Sequence, residues 1–190
     1  MIGIRSVAIG VLAFTALFAT ANLATVVGPV LAQEATARVV GPVRLHGLYF
    51  EIGEHVAQVM GALHGTLFVE SGADALDGWS VVCPATFVIS GPTPTFSAEG
   101  HCAIARDESQ KIYGRWTCTG TVHQGCRGRL TLTGGTGRFV KVSGESELLV
   151  RGTMLQITDV PPTGPRGPIG VAREIGTGLL ILPSLRYRVP

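Results

Sequence analysis

From Gly41 onward the chain is built of short apolar or alternating runs, each closed by glycine, proline or a polar cluster. "TLFVES" stops at Gly72, "WSVVCPATFVIS" at Gly91-Pro92, and "TFSAEGHCAIAR" at Asp107-Glu108-Ser109-Gln110. "KIYGRWTCTG", "RLTLTGG", "GESELLVRGTMLQI" and "GLLILPSLRYRV" complete the set. Alternation with a period of two buries one face of a strand and leaves the other in solvent, so the pattern predicts seven to nine β-strands in an all-β domain. That many strands on short connections must protect their edges, which points to a closed barrel or a sandwich.

Two stretches depart from this rhythm. In "EIGEHVAQVMGALHG", Ile52, Val56, Val59, Met60 and Leu63 recur at helical spacing. Gly53 and Gly61 would each cost a helix interior about 1 kcal/mol, so strands are expected here instead. "DVPPTGPRGPIG" carries two Gly-Pro-x triplets. Two cannot sustain a triple helix, and the segment reads as a long loop with rigid extended pieces.

The N-terminus follows other rules. A lead containing Arg5 precedes "SVAIGVLAFTALFATANL", which has no charge. That is the pattern of a secretory signal, with small-residue cleavage motifs at Ala19-Thr20-Ala21 and Val30-Leu31-Ala32. Cutting after Ala32 is expected because the polar "QEATAR" begins there. The competing reading is an uncleaved anchor, since residues 7–32 are long enough to span a bilayer. With no cysteine before Cys83, a lipid-modified N-terminal cysteine is excluded. The expected organisation is a signal peptide over 1–32 and a single domain over 33–190, periplasmic or secreted, without stable membrane insertion once the signal is removed.

Charge narrows the partners. Of 15 Lys plus Arg, Arg5 leaves with the signal, so 14 face 13 Asp plus Glu and the mature net charge is close to +1. Nucleic acid is not an expected partner, because phosphate binding needs clustered cations.

The cysteines Cys83, Cys102, Cys118 and Cys126 are spaced by 19, 16 and 8 residues, without the tight Cys-x-x-Cys knuckle of a zinc site. An even number in an exported chain reads as two disulfides. A hairpin turning on Gly91 to Pro94 pairs residues whose numbers sum to 185, setting Cys83 against Cys102. The same arithmetic across Thr119 to Gly125 sets Cys118 opposite Cys126. Cys102 and Cys118 could also meet diagonally across their own hairpin.

"TLTGGTGRFVKVSG" places Gly134, Gly135 and Gly137 between two strand-like runs. Glycine accepts positive φ in a tight turn or bulge without steric cost, and Phe139 is positioned to cover the bare backbone. No Gly-Lys-Ser/Thr follows and no helix pattern succeeds it, so neither a phosphate loop nor a dinucleotide fingerprint is present. "TGGTGRF", followed by Gly144, resembles the signature turn of the allene oxide cyclase and dirigent-like barrel superfamily. Cys83, the glycine-containing strand to Cys102, the acidic turn and "KIYGRW" look like its small exported bacterial members. The resemblance covers roughly 79–144. It implies an eight-stranded antiparallel barrel, oligomeric in plant members that cyclise fatty-acid epoxides or orient phenoxy radicals inside the barrel. None of those working residues can be matched here, and one fold hosts unrelated activities.

His46, Glu51, Glu54, His55 and His64 are the only dense set of titratable groups, with Glu51, His55 and His64 the weak candidate polar site. Their spacing matches no zincin motif. On a strand, His55 and His64 would point to opposite faces. His123 reads as a hairpin-loop residue. There is no Gly-x-Ser-x-Gly elbow, and four bridged cysteines leave no thiol nucleophile. Trp79, Trp116, Tyr49, Tyr113 and Phe139 are candidates to line an apolar interior. No catalytic residue, cofactor or metal is assigned. The expected function is an exported non-catalytic barrel binding a small apolar ligand or a partner protein, a further copy of itself among the candidates. The alternative is a cyclase- or isomerase-like enzyme with a Glu or His inside the barrel.

Overall fold

The computed structural model describes residues 33–93, 95–153 and 173–190. The expected signal at 1–32 and the Gly-Pro loop at 159–170 lie outside them. The strands are β1 (Gln33–Gly53), β2 (Val56–Thr66), β3 (Phe68–Gly72), β4 (Ser80–Ser90), β5 (Thr95–Ala105), β6 (Lys111–Thr121), β7 (Gly125–Gly135), β8 (Ser143–Thr153) and β9 (Arg173–Val189). All pair antiparallel in one sheet, and hydrogen bonding runs β1-β2-β4-β5-β6-β7-β8-β9 and back to β1. Eight strands close the ring. The ninth, β3, follows β2 along the same edge of β1, pairing Val40 with Phe68 where β2 had paired Val43 with Gly65.

The alternation that predicted strands also sets the inside of the barrel. On β4, Val81, Cys83, Phe87 and Ile89 are buried, while Val82 and Val88 between them face out. On β6, Ile112, Trp116 and Cys118 are buried and Tyr113 is exposed. "EIGEHVAQVMGALHG" is the end of β1, a turn at Glu54-His55 and β2, so strand preference prevails over helical spacing. Missing from the sequence pattern is the length of β1, 21 residues with Gly41-Pro42 in its middle. That dipeptide reads as a break, but here it falls where the partner changes from β2 to β3, the kind of ladder interruption where proline is tolerated.

The two ends differ. One carries the β3–β4 loop, the β5–β6 turn at Arg106–Gln110, and the β7–β8 connection at Thr136–Val142. There Leu67, Leu76, Trp79, Phe139 and Val142 are buried. Trp79 meets Phe139 edge to face with centroids 5.4 Å apart. The other end, the mouth, carries the β1–β2, β4–β5 and β6–β7 turns.

Candidate functional site

The first place to look for chemistry is the barrel interior, and it is apolar. Ser146 is the only buried polar residue outside the aromatic set among the described residues, and its hydroxyl donates to the Glu147 carbonyl at 2.7 Å. No carboxylate or imidazole is buried there. Tyr187 is buried as well, and desolvation pushes its phenol above the usual range. Toward the mouth, a void of about 40 Å³ lies among Leu63, Phe87, Phe96, Trp116, Val122 and Val150. Pockets that enclose small organic ligands run to about 300–1,000 Å³. Trp116, which lines this void, is 2% exposed, and its indole N–H has no acceptor among the described residues.

Of the expected aromatic lining, Trp79, Trp116 and Phe139 do face inward and Tyr49 packs partly against the core. Tyr113 does not. It occupies an outward position on β6.

The cysteines stand at disulfide distance as two pairs, and none is free. The β4–β5 register holds the sum of 185 on both sides of Cys83 and Cys102, whose Cα atoms are 4.0 Å apart. Cys118 pairs with Cys126 as expected, but not from directly opposite positions. The β6–β7 register places Cys118 opposite Gly128 and Cys126 opposite Gly120, so this bridge is diagonal, with Cα atoms 5.7 Å apart.

The glycine cluster also departs from expectation. It is no tight turn, and "RFVK" does not resume the strand. Gly137–Phe139 form one 3-10 turn, and β8 begins only at Ser143. Positive φ occurs at Gly134, Gly137 and Lys141, and not at Gly135. What Gly135 supplies is room: an added Cβ would stand 2.3 Å from the Lys111 carbonyl oxygen and 2.9 Å from Phe139 Cβ. Thr136 fixes the connection to the neighbouring turn. Its hydroxyl accepts from the Lys111 N–H at 3.0 Å and donates to the Ser109 carbonyl at 2.9 Å. Phe139 is thereby driven into the barrel end, and the motif is a plug.

Glu51, His55 and His64 are not brought together. Glu51 lies near the mouth end of β1, opposite Ala57. His55 sits in the following turn at φ 58°, its Nε2 3.9 Å from Glu54. His64 lies far along β2, where its Nε2 is 2.7 Å from Nδ1 of His46. His46 Nε2 in turn stands 3.8 Å from Glu174 Oε2, which Arg44 Nη1 also approaches at 3.3 Å. Glu174, paired with His46 across the β1–β9 ladder, is invisible from spacing because it is 128 positions away. His123 is an exposed turn residue. Among the described residues no group of three or more His, Cys, Asp or Glu converges on one point.

The outer wall is divided. Most exposed large apolar side chains lie on one side: Phe50 and Ile52 of β1, Met60 of β2, Phe68 of β3, Val82 and Val88 of β4, and Leu179 of β9, with Tyr113 of β6 and Val140 after the 3-10 turn elsewhere. Across β5–β7 the outward rows read Glu99, Thr117, Arg129 and Ser97, Thr119, Arg127. Arg127 and Arg129 pair with Glu147 and Glu145 of β8 at 3.0 and 2.8 Å.

No protein family, no curated protein and no solved structure matches this chain.

Proposed function

We propose that the chain is an exported, non-catalytic β-barrel that binds protein through the apolar side of its outer wall, with a second copy of itself as the first partner. The observation that carries this is the contrast between the wall and the interior. The interior void toward the mouth is about 40 Å³, and no carboxylate or imidazole is buried among the described residues. Its outer face meanwhile leaves Met60 and Ile52 more than half exposed. An apolar surface of this kind is an interaction surface when it is contiguous. A second copy suits the charges beside it: Arg38 pairs with Glu70 and Arg44 with Glu174 inside the chain. The near-zero net charge offers little to steer a strongly charged partner. Export rests on the N-terminal pattern and is supported by the two cysteine pairs. No helix among the described residues is long and apolar enough to cross a membrane. The closed ring of eight strands agrees with the architecture implied by the allene oxide cyclase and dirigent-like resemblance, and membership of that superfamily is part of the proposal.

Sedimentation velocity over a range of concentrations tests the reading. The parent is expected to self-associate, Met60→Glu to shift toward monomer, and Thr131→Glu, on the exposed face of β7, to behave as the parent. A parent that stays monomeric throughout refutes the self-binding wall.

One observation favours a second reading, a small apolar ligand seated at the mouth. The unpaired Trp116 N–H would donate to an oxygen of such a molecule while Phe87, Phe96 and Leu63 cover its hydrocarbon part. Native mass spectrometry that finds a bound molecule, released in Trp116→Phe, would establish this version.

A further inference from the structure

Among the described residues two imidazoles are in direct contact, and they lie outside the barrel. His46 is on β1 and His64 on β2. Register pairs His46 with Ala62 and Arg44 with His64, so the two histidines are diagonal neighbours on the outward face. Their rings lie 4.7 Å apart between centroids with Nδ1 of one facing Nε2 of the other at 2.7 Å. From this geometry we infer that His46 and His64 form a two-imidazole chelate for a divalent transition metal, with water filling the remaining positions.

Three features support it. First, two imidazoles bound to one ion stand about 3 Å apart when each metal–nitrogen bond is about 2.0 Å, so the rings need separate by only a few tenths of an ångström. Second, the far nitrogen of His46 faces a carboxylate, Glu174 Oε2 at 3.8 Å. A negative charge on that side favours the N–H at Nε2 and so leaves Nδ1 with its lone pair free, in the same sense as the carboxylates found behind many metal-bound histidines. Third, the two strands that carry the rings are paired over ten registered positions, so the chelate is held by a ladder.

The protons balance. With His46 in the tautomer that carries its hydrogen on Nε2, the His64 Nε2–H donates to His46 Nδ1 in the free protein. On binding, His64 carries its proton on Nδ1 instead, exchanged through solvent, and two neutral rings release none. The charged groups around the pair are Arg44 on β1 and Glu174 on β9, 3.3 Å from one another. On β4, the positions registered with Ala62 and His64 are Pro84 and Val82, so that side brings no charge. Glu174 therefore both orients His46 and offsets the Arg44 cation that would otherwise repel a metal. Copper(II) is the strongest binder expected at such a site among the first-row divalent ions.

Copper(II) titration of the purified, untagged protein, read by calorimetry and by electron paramagnetic resonance, is the test. One ion per chain is expected, with a two-nitrogen signature. His46→Ala and His64→Ala should each weaken binding at least about tenfold and leave one nitrogen, and Glu174→Gln should weaken it by about tenfold with both nitrogens kept. His55→Ala and His123→Ala should bind as the parent does. Both rings are half-buried on the outward face of the wall and outside the core, so the variants should stay folded, and a thermal scan checks this. The inference is overturned if the parent takes up no copper, or if the double variant His46→Ala/His64→Ala binds as tightly as the parent. An unchanged affinity in Glu174→Gln would overturn the carboxylate's part in it.

Discussion

The two ends of the barrel are made from the same materials and finished differently. At the plugged end, Phe139 is 1% exposed, sits edge to face against Trp79, and has Arg138 over its ring at 4.8 Å. At the mouth, Phe96 is 5% exposed, and its centroid lies 5.9 Å from that of Phe87 beside a void. A β-barrel needs no helix to close it; one 3-10 turn that carries an aromatic inward is enough. The plugged end is thus where sequence is spent on stability, and the mouth is where space remains.

Truncating the same residue type at each end is the sharpest test of that contrast. Phe139→Ala should cost the upper part of the range for buried phenylalanine, about 4–5 kcal/mol, and Phe96→Ala the lower part, about 3 kcal/mol. In a domain with about 5–15 kcal/mol of stability the first change approaches global unfolding. Urea midpoints of the two variants measure it, and equal losses would erase the distinction between the ends. Next in size is Gly135→Val, where a new branched side chain must push the Lys111 carbonyl or Phe139 aside. Overpacking of this kind costs about 1–3 kcal/mol. His55→Ala, in the mouth turn, should melt with the parent. If the order is reversed, the plug does not depend on the close approach at Gly135.

The smallest effect is a matter of pH. Asp107 heads the β5–β6 turn beneath the plug, and its Oδ1 accepts from the Ser109 hydroxyl at 2.7 Å, the Ser109 N–H at 2.8 Å and the Gln110 N–H at 3.0 Å. The hydroxyl bond leads in holding this exposed carboxyl below the ordinary range, followed by the Ser109 N–H. A carboxylate whose folded pKa is depressed contributes stability above its unfolded value and loses it as pH falls through the folded one. The thermal midpoint of the parent should therefore exceed that of Asp107→Ala near neutrality, and the gap should shrink as acid protonates the group. A gap that stays constant into strong acid would show that the turn does not depend on the charge.

How much of this the chain announces depends on whether the relevant contact is local. The strands, their turns and the Cys83–Cys102 pair follow from alternation and hairpin sums, because each hairpin is its own neighbourhood. Cys118 and Cys126 show the limit: the partners follow from parity, but a two-residue offset in register turns an opposite pair into a diagonal one. The glycine cluster marks a structural element correctly, while its form depends on Thr136 reaching Ser109 and Lys111, which no local pattern encodes. The histidines illustrate the same point for chemistry. Density along the sequence favoured Glu51, His55 and His64, yet strands separate neighbours in sequence and join distant ones, so His64 meets His46, whose far nitrogen faces Glu174. That set was legible only once β1, β2 and β9 were known to lie side by side.

The β1–β9 ladder has a consequence for how the molecule comes into being. Gln33 pairs with Val189 and Gly47 with Arg173, so the seam of the ring joins the first of the described strands to the last of them. Contacts of such long sequence separation make closure slow, because the ordering entropy of the intervening chain comes before their reward. Until residue 189 has emerged, β1 offers an unpaired edge over its whole β9-facing side, the kind of template on which strands of other chains can add. A circular permutant that links 190 to 33 and opens at the exposed Gly91 turn would turn that seam into a local hairpin. It should refold faster than the parent and aggregate less while doing so.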